Sequence, residues 1–283
     1  MTEKEYLAQY DITNFDRPSL TTDMVLFTLD RTRSNIKKID ISGLQVLLIQ
    51  RNNHPELGKW ALPGGFCRPT ESVLETAHRE LQEETGIDTN LHLINTYSDQ
   101  NRDPRGWIIS NAYYGFVHKE DCKLRADTDA WKAEWFTITN HHTQIMLDQP
   151  NHKKITHMLC LENATQVLVS YVTEEQYITG YQITRTFTET LSDFAFDHGK
   201  IILETFLQVQ NMVKNDIRIV FDTLPETFTI GELQKAYECL LETPVINFRR
   251  IIKDFVIETD QTIKAGYRPA KLYKRNFDVF LNA

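Results

Sequence analysis

The 283-residue sequence predicts an α+β protein of two domains. Three observations carry that reading. At roughly 150 residues per domain, the length makes room for about two. Runs rich in branched and aromatic residues recur from Thr21 onward, broken by a strongly helical segment, Ser72–Thr85. Beyond Leu224 the texture changes to two short helical patterns and a hairpin containing Gly and Pro. The boundary is accordingly placed near Asp222, giving a first domain over 1–222 and a second over 223–283.

The elements follow in order. After a polar leader, Thr21–Leu29 and Leu44–Gln50 read as strands, joined by a hairpin connection over the charged stretch Asp30–Asp40. A Gly/Pro-punctuated loop, His54–Pro69, leads into the helix Ser72–Thr85, which Gly86 stops from the left-handed capping position. Strands are expected at Leu91–Tyr97, Trp107–His118 and Trp135–Ile138. Residues 139–190 read as an insertion, with strands at Thr165–Tyr171 and Tyr177–Phe187. Gly199–Lys214 is helical, with Ile201, Ile202, Phe206, Leu207, Val209 and Val213 as its apolar residues.

Composition excludes several classes. With 41% hydrophobic and 25% charged residues the chain can build an ordinary core, so wholesale disorder is not expected. A net charge of -8 argues against coating nucleic acid by bulk positive charge, while leaving room for a local basic patch. No stretch approaches the ~20 apolar residues of a membrane helix, and the amino terminus lacks a signal-peptide pattern, so a cytoplasmic location without membrane contact is expected. Cys67, Cys122, Cys160 and Cys239 form no C-x-x-C pair and suggest neither disulfides nor a zinc site.

At ~100° per residue, Glu80, Glu83 and Glu84 share one sector of the helix, while Leu74, Ala77 and Leu81 occupy an adjoining one. One face packs and its neighbour presents carboxylates. Three adjacent carboxylates repel one another unless a cation sits among them, and hard oxygen ligands suit Mg²⁺ or Mn²⁺. Arg79, four residues before Glu83, is placed to hold that carboxylate by a charge-assisted hydrogen bond. Taken alone, such a face reads first as a solvated surface, because Glu-rich helices are common.

The full spacing says more. Gly65, Glu71, Arg79, Glu80, Leu81, Glu83, Glu84, Gly86 and Ile87 satisfy every defined position of the Nudix box. On these residues the chain resembles the Nudix hydrolase superfamily. The resemblance implies an α/β/α sandwich around a mixed sheet, with the box as a loop–helix–loop, and hydrolysis of a nucleoside diphosphate linked to another group. Glu80, Glu83 and Glu84 would carry the divalent metals, and Arg79 would orient the cluster. A box glutamate, Glu80 or Glu83, or an acid from a later loop, would activate water. The metals would neutralise the diphosphate and lower the pKa of a bound water. Glu71, with Gly65 and Gly86, belongs to the frame of the box.

Related nucleotide-sugar hydrolases often place a distal catalytic acid before a Trp-Phe pair, here Trp135-Phe136. Lys132 stands where an acid is often found, which leaves Glu134 and Asp129 as equal candidates. Asp103-Pro104-Arg105-Gly106 resembles the loop that ADP-ribose-binding members place near the ligand, where Arg105 would clamp a phosphate; a solvent-facing turn fits the same residues. Arg51, at a strand end facing that loop, has the same two readings, and Trp60 and Phe66 are either base-stacking rings or core.

In the second domain, Thr229-Ile230-Gly231-Glu232 is a capping box followed by apolar Leu233, Ala236, Tyr237 and Leu240. After the break at Thr243-Pro244, Asn247 is expected to cap a helix that turns Phe248, Ile251, Ile252 and Phe255 inward and Arg249, Arg250 and Lys253 outward. A hairpin then carries Lys264, Arg268, Lys271, Lys274 and Arg275. This is the layout of a winged helix, in which Arg249, Arg250, Lys253, Arg268 and Lys271 are the candidate DNA contacts. Over 244–275 only Asp254, Glu258 and Asp260 oppose the basic residues, so the local sign reverses that of the chain. A solubilising patch or a dimerising winged helix would also look so.

Asp16-Arg17-Pro18-Ser19, Lys59–Gly65, Phe196–Gly199, Asn247–Arg250 and Gly266–Tyr273 together resemble the Nudix-related transcriptional regulators of NAD metabolism over most of the chain except the insertion. That likeness implies ADP-ribose-type effectors in the Nudix pocket, homodimers and operator DNA. Many such regulators carry a degraded box, whereas this one is intact. The leading expectation is therefore an Mg²⁺-dependent pyrophosphohydrolase of ADP-ribose or a related nucleoside diphosphate derivative, with a DNA-binding role beside it. The alternative is a non-catalytic ADP-ribose-sensing regulator of NAD or sugar metabolism.

Overall fold

The computed structural model describes residues 1–33, 39–122, 130–147, 151–265 and 268–281. Helix α1 (Glu3–Gln9) occupies part of the polar leader, closed by a reciprocal capping box between Thr2 and Glu5. Strands β1 (Ser19–Arg33) and β2 (Ile39–Arg51) form the expected antiparallel hairpin. Their pairing continues until Arg33 faces Ile39, so both strands extend into the charged stretch expected as a connection. Within the Gly/Pro loop, β3 (Trp60–Ala61) pairs with β2 and β4 (Gly64–Phe66) with β1.

Helix α2 (Val73–Thr85), β5 (His92–Tyr97) and β6 (Ile108–Phe116) fall where the patterns place them. β6 pairs with β1 in parallel and with β5 antiparallel, which makes the sheet mixed. Alternation along β1 feeds two cores: Val25, Phe27 and Leu29 face one side, Met24 and Leu26 the other.

The insertion extends the same sheet. β7 (Ala130–Met146), β8 (His152–Glu162), β9 (Val167–Thr179) and β10 (Gln182–Ser192) run as an antiparallel meander. The sheet order is β10-β9-β8-β7-β2-β1-β6-β5. The stretch expected as one strand, Tyr177–Phe187, is two, because Gly180 takes φ 62° and turns the chain between β9 and β10. Both arms are rich in β-formers, and the glycine was the only break between them.

Helix α2 covers one face of the sheet through Ala77 and Leu81. Helix α3 (His198–Asn215) covers the other, burying Ile201, Ile202, Phe206, Val209 and Val213. Phe206 is 1% exposed, so Phe206→Ala should cost about 3–5 kcal/mol of stability, read as a lower urea midpoint at unchanged slope.

Beyond a 3-10 stretch (Ile217–Thr223) come α4 (Ile230–Leu241), α5 (Phe248–Ile252), the hairpin β11 (Val256–Ala265) and β12 (Arg268–Arg275), and α6 (Phe277–Leu281). This is the expected helix–turn–helix–hairpin order. Helix α5 is shorter than its apolar spacing suggested, because the β-branched pair Val256-Ile257 draws the chain into β11. Phe255 therefore lies outside the helix, and Ile251 is 44% exposed rather than turned inward. Asn247 precedes the helix at φ 58° and makes no side-chain cap. Leu233, Ala236 and Leu240 of α4 belong to the same apolar cluster as Val46 and Leu48 of β2, so the core runs unbroken into this segment. No helix among the described residues is long and apolar enough to cross a membrane.

Candidate functional site

Helix α2 begins with Ser72 and Glu75 in a capping box and ends on Gly86 at φ 68°. Ala77 and Leu81 anchor it against Met24, Leu26 and Leu47. This fixes the neighbouring carboxylate face beside β4. Arg79 is the hub of that face. Its Nε and Nη2 donate to Glu71 at 2.7 and 3.0 Å, its Nη1 to Glu80 at 2.6 Å and Glu83 at 3.1 Å, and its Nη2 to the Phe66 carbonyl at 3.2 Å. The bonds from Arg79 hold the Glu71 carboxyl below its usual range, and the same bonds, those to Glu71 first and then those to Glu80 and Glu83, raise the guanidinium's own pKa. Glu71 thus sits in the frame of the box, held also by the Thr76 hydroxyl at 3.1 Å.

Two glycines of β4 permit close approaches, Gly64 to strand β1 and Gly65 to helix α2. A Cβ on Gly64 would stand 2.0 Å from the Thr22 carbonyl oxygen, and one on Gly65 would stand 2.3 Å from the Glu80 carboxyl. The Gly64 amide donates to Glu84 at 2.9 Å, and Glu84 is buried. Glu80 and Glu84 line one cavity, while Glu83 lies half-exposed beside Arg79 and Arg68. Among the described residues no three acids, imidazoles or thiols converge on a ready-made metal position. The donor set still fits a hard divalent cation in kind, because it is all carboxylate oxygen and a guanidinium already bridges Glu80 and Glu83.

The cavity holds about 550 Å³, and its other wall carries Arg51, Arg102, Asp103 and Arg105. Asp103, 4% exposed, accepts from Arg105 Nε at 3.0 Å and Nη2 at 2.6 Å, and from the Arg105 backbone amide at 2.9 Å. Burial pushes the Asp103 carboxyl up, but the Arg105 bonds outweigh it and the net shift is downward. Arg105 lies 5.0 Å from the Phe66 ring and 5.2 Å from that of Phe196, and Arg51 lies 4.8 Å from Phe196. Burial, then repulsion from Arg105, lowers the Arg51 pKa. Phe196 takes φ 53°, an uncommon conformation for a non-glycine residue. An anion placed among three arginines, facing carboxylates that suit a divalent cation, meets complementary charge on both sides.

Sequence reasoning missed the charges behind this wall. The Arg102 side chain, 4% exposed, donates to Asp197 at 2.7 and 3.0 Å and lies 3.6 Å from Asp23. Ser110 donates to Asp23, and His198 Nε2 lies 3.6 Å from it. His198 Nδ1 accepts the Leu62 amide at 2.8 Å, which assigns the proton to Nε2. A signal was present: Asp23 interrupts an apolar strand, and a buried acid requires a partner.

Burial lowers the His198 pKa below its ordinary value of 6.5, against the attraction of Asp23 and Asp197. The unfolded imidazole takes up a proton near 6.5 and the folded one resists, so this contribution is complete above that pH and is lost as pH falls below it. Unfolding free energies at about pH 7.5 and about pH 5.5 should show a decline that shrinks in His198→Asn.

Glu134 is not brought to this cavity. It lies opposite Leu48 on β7, accepts from Asn163 at 2.6 Å, and lines a separate cleft with Lys119 and Glu162, because β7 lies across β2 from the box. Asp129 lies outside the described residues. Trp60 is core, edge-on to Phe136 at 4.9 Å, whereas Phe66 is 43% exposed at the cavity.

In the carboxyl-terminal segment, Phe248 and Ile252 are buried one helical turn apart and leave Arg249, Arg250 and Lys253 exposed. Among the described residues none of these three forms an ion pair. Lys271 on β12 is bonded to Glu258 at 2.7 Å, and Arg275 to Asp222 at 2.9 Å. Arg268 opens β12, and Gly266 and Tyr267 lie outside the described residues.

Residues 37–159 match the NUDIX domain family and residues 220–275 the NrtR DNA-binding winged helix domain. The chain is 30% identical over 280 residues to the ADPR responsive transcriptional repressor NtrR of Acinetobacter baylyi, covering 96% of this chain and 88% of that one. A MutT/nudix family protein from Enterococcus faecalis superposes with a TM-score of 0.67 at 26% identity, covering 98% of this chain and 94% of the other. Shewanella oneidensis NrtR complexed with a 27mer DNA gives 0.58 at 25% identity, covering 92% and 94%. With Nudix and NrtR winged-helix matches in one chain, and a repressor relative 30% identical over nearly its whole length, this protein belongs to the Nudix-related transcriptional regulators of the NrtR type.

Proposed function

We propose that the chain is an ADP-ribose-responsive DNA-binding regulator, with the nucleotide in the Nudix cavity and the operator on the winged helix. The observation that carries this reading is the cavity itself, where Arg51, Arg102 and Arg105 face Glu80 and Glu84. A diphosphate suits the arginines, and Phe66 offers an exposed ring to a base. Glu80 and Glu84, with Glu83 beside them, would hold Mg²⁺ or Mn²⁺, which when bound would neutralise diphosphate charge. Arg249, Arg250 and Lys253 would meet the major groove and its phosphates, and Arg268 and Lys271 the backbone from the hairpin. Two chains would pair on DNA half-sites, in the cytoplasm. Calorimetry tests the ligand: ADP-ribose should bind wild type, and Arg105→Ala should weaken it by about tenfold or more. Equal affinity in that variant would contradict the assignment.

A second reading, hydrolysis of ADP-ribose to AMP and ribose 5-phosphate, is favoured by one observation: no defined position of the box is altered. With Mg²⁺, wild type should then release AMP and a Glu83→Gln, Glu84→Gln double variant should not. Equal inertness of both proteins would leave the sensor alone.

A further inference from the structure

Among the described residues three α-helices are closed by side-chain caps. Thr2, Ser72 and Thr229 precede α1, α2 and α4 in extended conformations, with ψ of 161°, 161° and 154°, and each accepts a helix amide. Helix α3 differs. Asp197 occupies the capping position, and Asp is among the strongest caps, yet its side chain accepts nothing from the helix and its ψ is 23°. Its two oxygens are taken by Arg102 instead, at 2.7 and 3.0 Å, with the Lys200 ammonium 3.8 Å from one of them. Arg102 also lines the nucleotide cavity, where Asp23 is a second claimant at 3.6 Å.

We propose that Asp197 is a two-position switch that couples the nucleotide cavity to the winged helix. In the structure described, Arg102 holds Asp197 away from the helix. A diphosphate entering the cavity supplies a stronger acceptor for the buried guanidinium. Once released, Asp197 turns to the extended conformation and caps the amides of Gly199 or Lys200. That change in ψ alters the angle between α3 and Phe196, which stands between Arg51 and Arg105.

Helix α3 carries the change across the molecule. Its 18 residues span about 27 Å. Near its far end Gln210 donates to Glu242, just past α4, at 3.1 Å, and Val209 and Val213 share an apolar cluster with Leu233 and Leu240 of α4. A ligand shifts a conformational equilibrium only through a difference in affinity for the two states, and competition for Arg102 supplies one. The coupling rests on the proposed ADP-ribose reading, whereas the capping change can be measured without DNA.

The test uses the full chain, ADP-ribose, and a labelled duplex selected by wild type from a random-sequence pool. In wild type ADP-ribose should weaken duplex binding by about tenfold or more. Asp197→Asn keeps a capping side chain but loses the ion pair. Without ligand it should bind duplex within about threefold of ligand-saturated wild type, still bind ADP-ribose at wild-type affinity or tighter, and lose most of the ligand effect. Arg102→Gln should weaken duplex binding similarly while also losing ADP-ribose affinity. A purely structural role for Asp197 would weaken both ligands together in Asp197→Asn. Hydrogen exchange adds a separate readout: the Gly199 and Lys200 amides should gain protection on ADP-ribose binding in wild type and be protected already in Asp197→Asn. If wild type binds ADP-ribose but these amides do not change, or if Asp197→Asn retains the full ligand effect, the switch is overturned. If wild type does not bind ADP-ribose, the functional reading fails and the switch falls with it.

Discussion

Replacing Arg249 and Arg250 together with alanine is expected to weaken DNA binding by about 100-fold or more while leaving ADP-ribose affinity unchanged. Both side chains stand on α5, which Phe248 and Ile252 pin to the domain core, so their removal costs little stability. Among the described residues neither is engaged in an ion pair. They are therefore available to phosphates or base edges without first breaking a contact. Each lost phosphate contact should also flatten the dependence of log affinity on log salt by about one. Lys271→Ala should do less, because its ammonium is shared with Glu258 at 2.7 Å. Fluorescence anisotropy over a salt series measures both effects. A larger loss from Lys271→Ala than from the double variant would move the principal contact from the helix to the hairpin.

Gly64→Ala should destabilise the Nudix fold by about 3 kcal/mol or more. The added Cβ would meet the Thr22 carbonyl oxygen at 2.0 Å and the Asp23 Cα at 3.1 Å. Neither can yield cheaply. Thr22 and Asp23 are paired in register on both sides, to Gly65 and Gly64 of β4 and to Asn111 and Ala112 of β6. Moving Gly64 would also carry away the amide that holds Glu84. Gly65→Ala is a useful contrast, since its Cβ would meet the Glu80 carboxyl, which a side-chain rotation can withdraw. That variant should lose less stability, yet disturb ligand binding by displacing Glu80. Urea unfolding and calorimetry on the two variants separate these outcomes.

Much of this was legible in the residues because it is local. The α2 boundaries follow from Ser72, Glu75 and Gly86, and its two faces from the helical period alone. The Arg79–Glu83 pair is readable from spacing, the place of Glu71 beside it from the Nudix resemblance, and the outward direction of Arg249, Arg250 and Lys253 from the helical period. What escaped depends on distant pairing. Strand β8 carries no strong period-two signal, and its place follows from neighbours on both sides. The resemblance leaves Glu134 and Asp129 as equal candidates for the distal acid, and strand order takes Glu134 to another cleft. Asp23, Arg102 and Asp197 are far apart in sequence, and only the meeting of β1, the loop before β6 and the start of α3 shows that they form one buried cluster.

Coupling between the Nudix cavity and the winged helix is open to direct measurement. The most direct measurement titrates ADP-ribose into the preformed complex of the full chain with its selected duplex at constant salt. DNA release should saturate with ADP-ribose binding and, by linkage, the duplex should weaken ADP-ribose affinity by an equal factor. DNA affinity that stays constant while calorimetry shows the cavity filled would contradict the coupling.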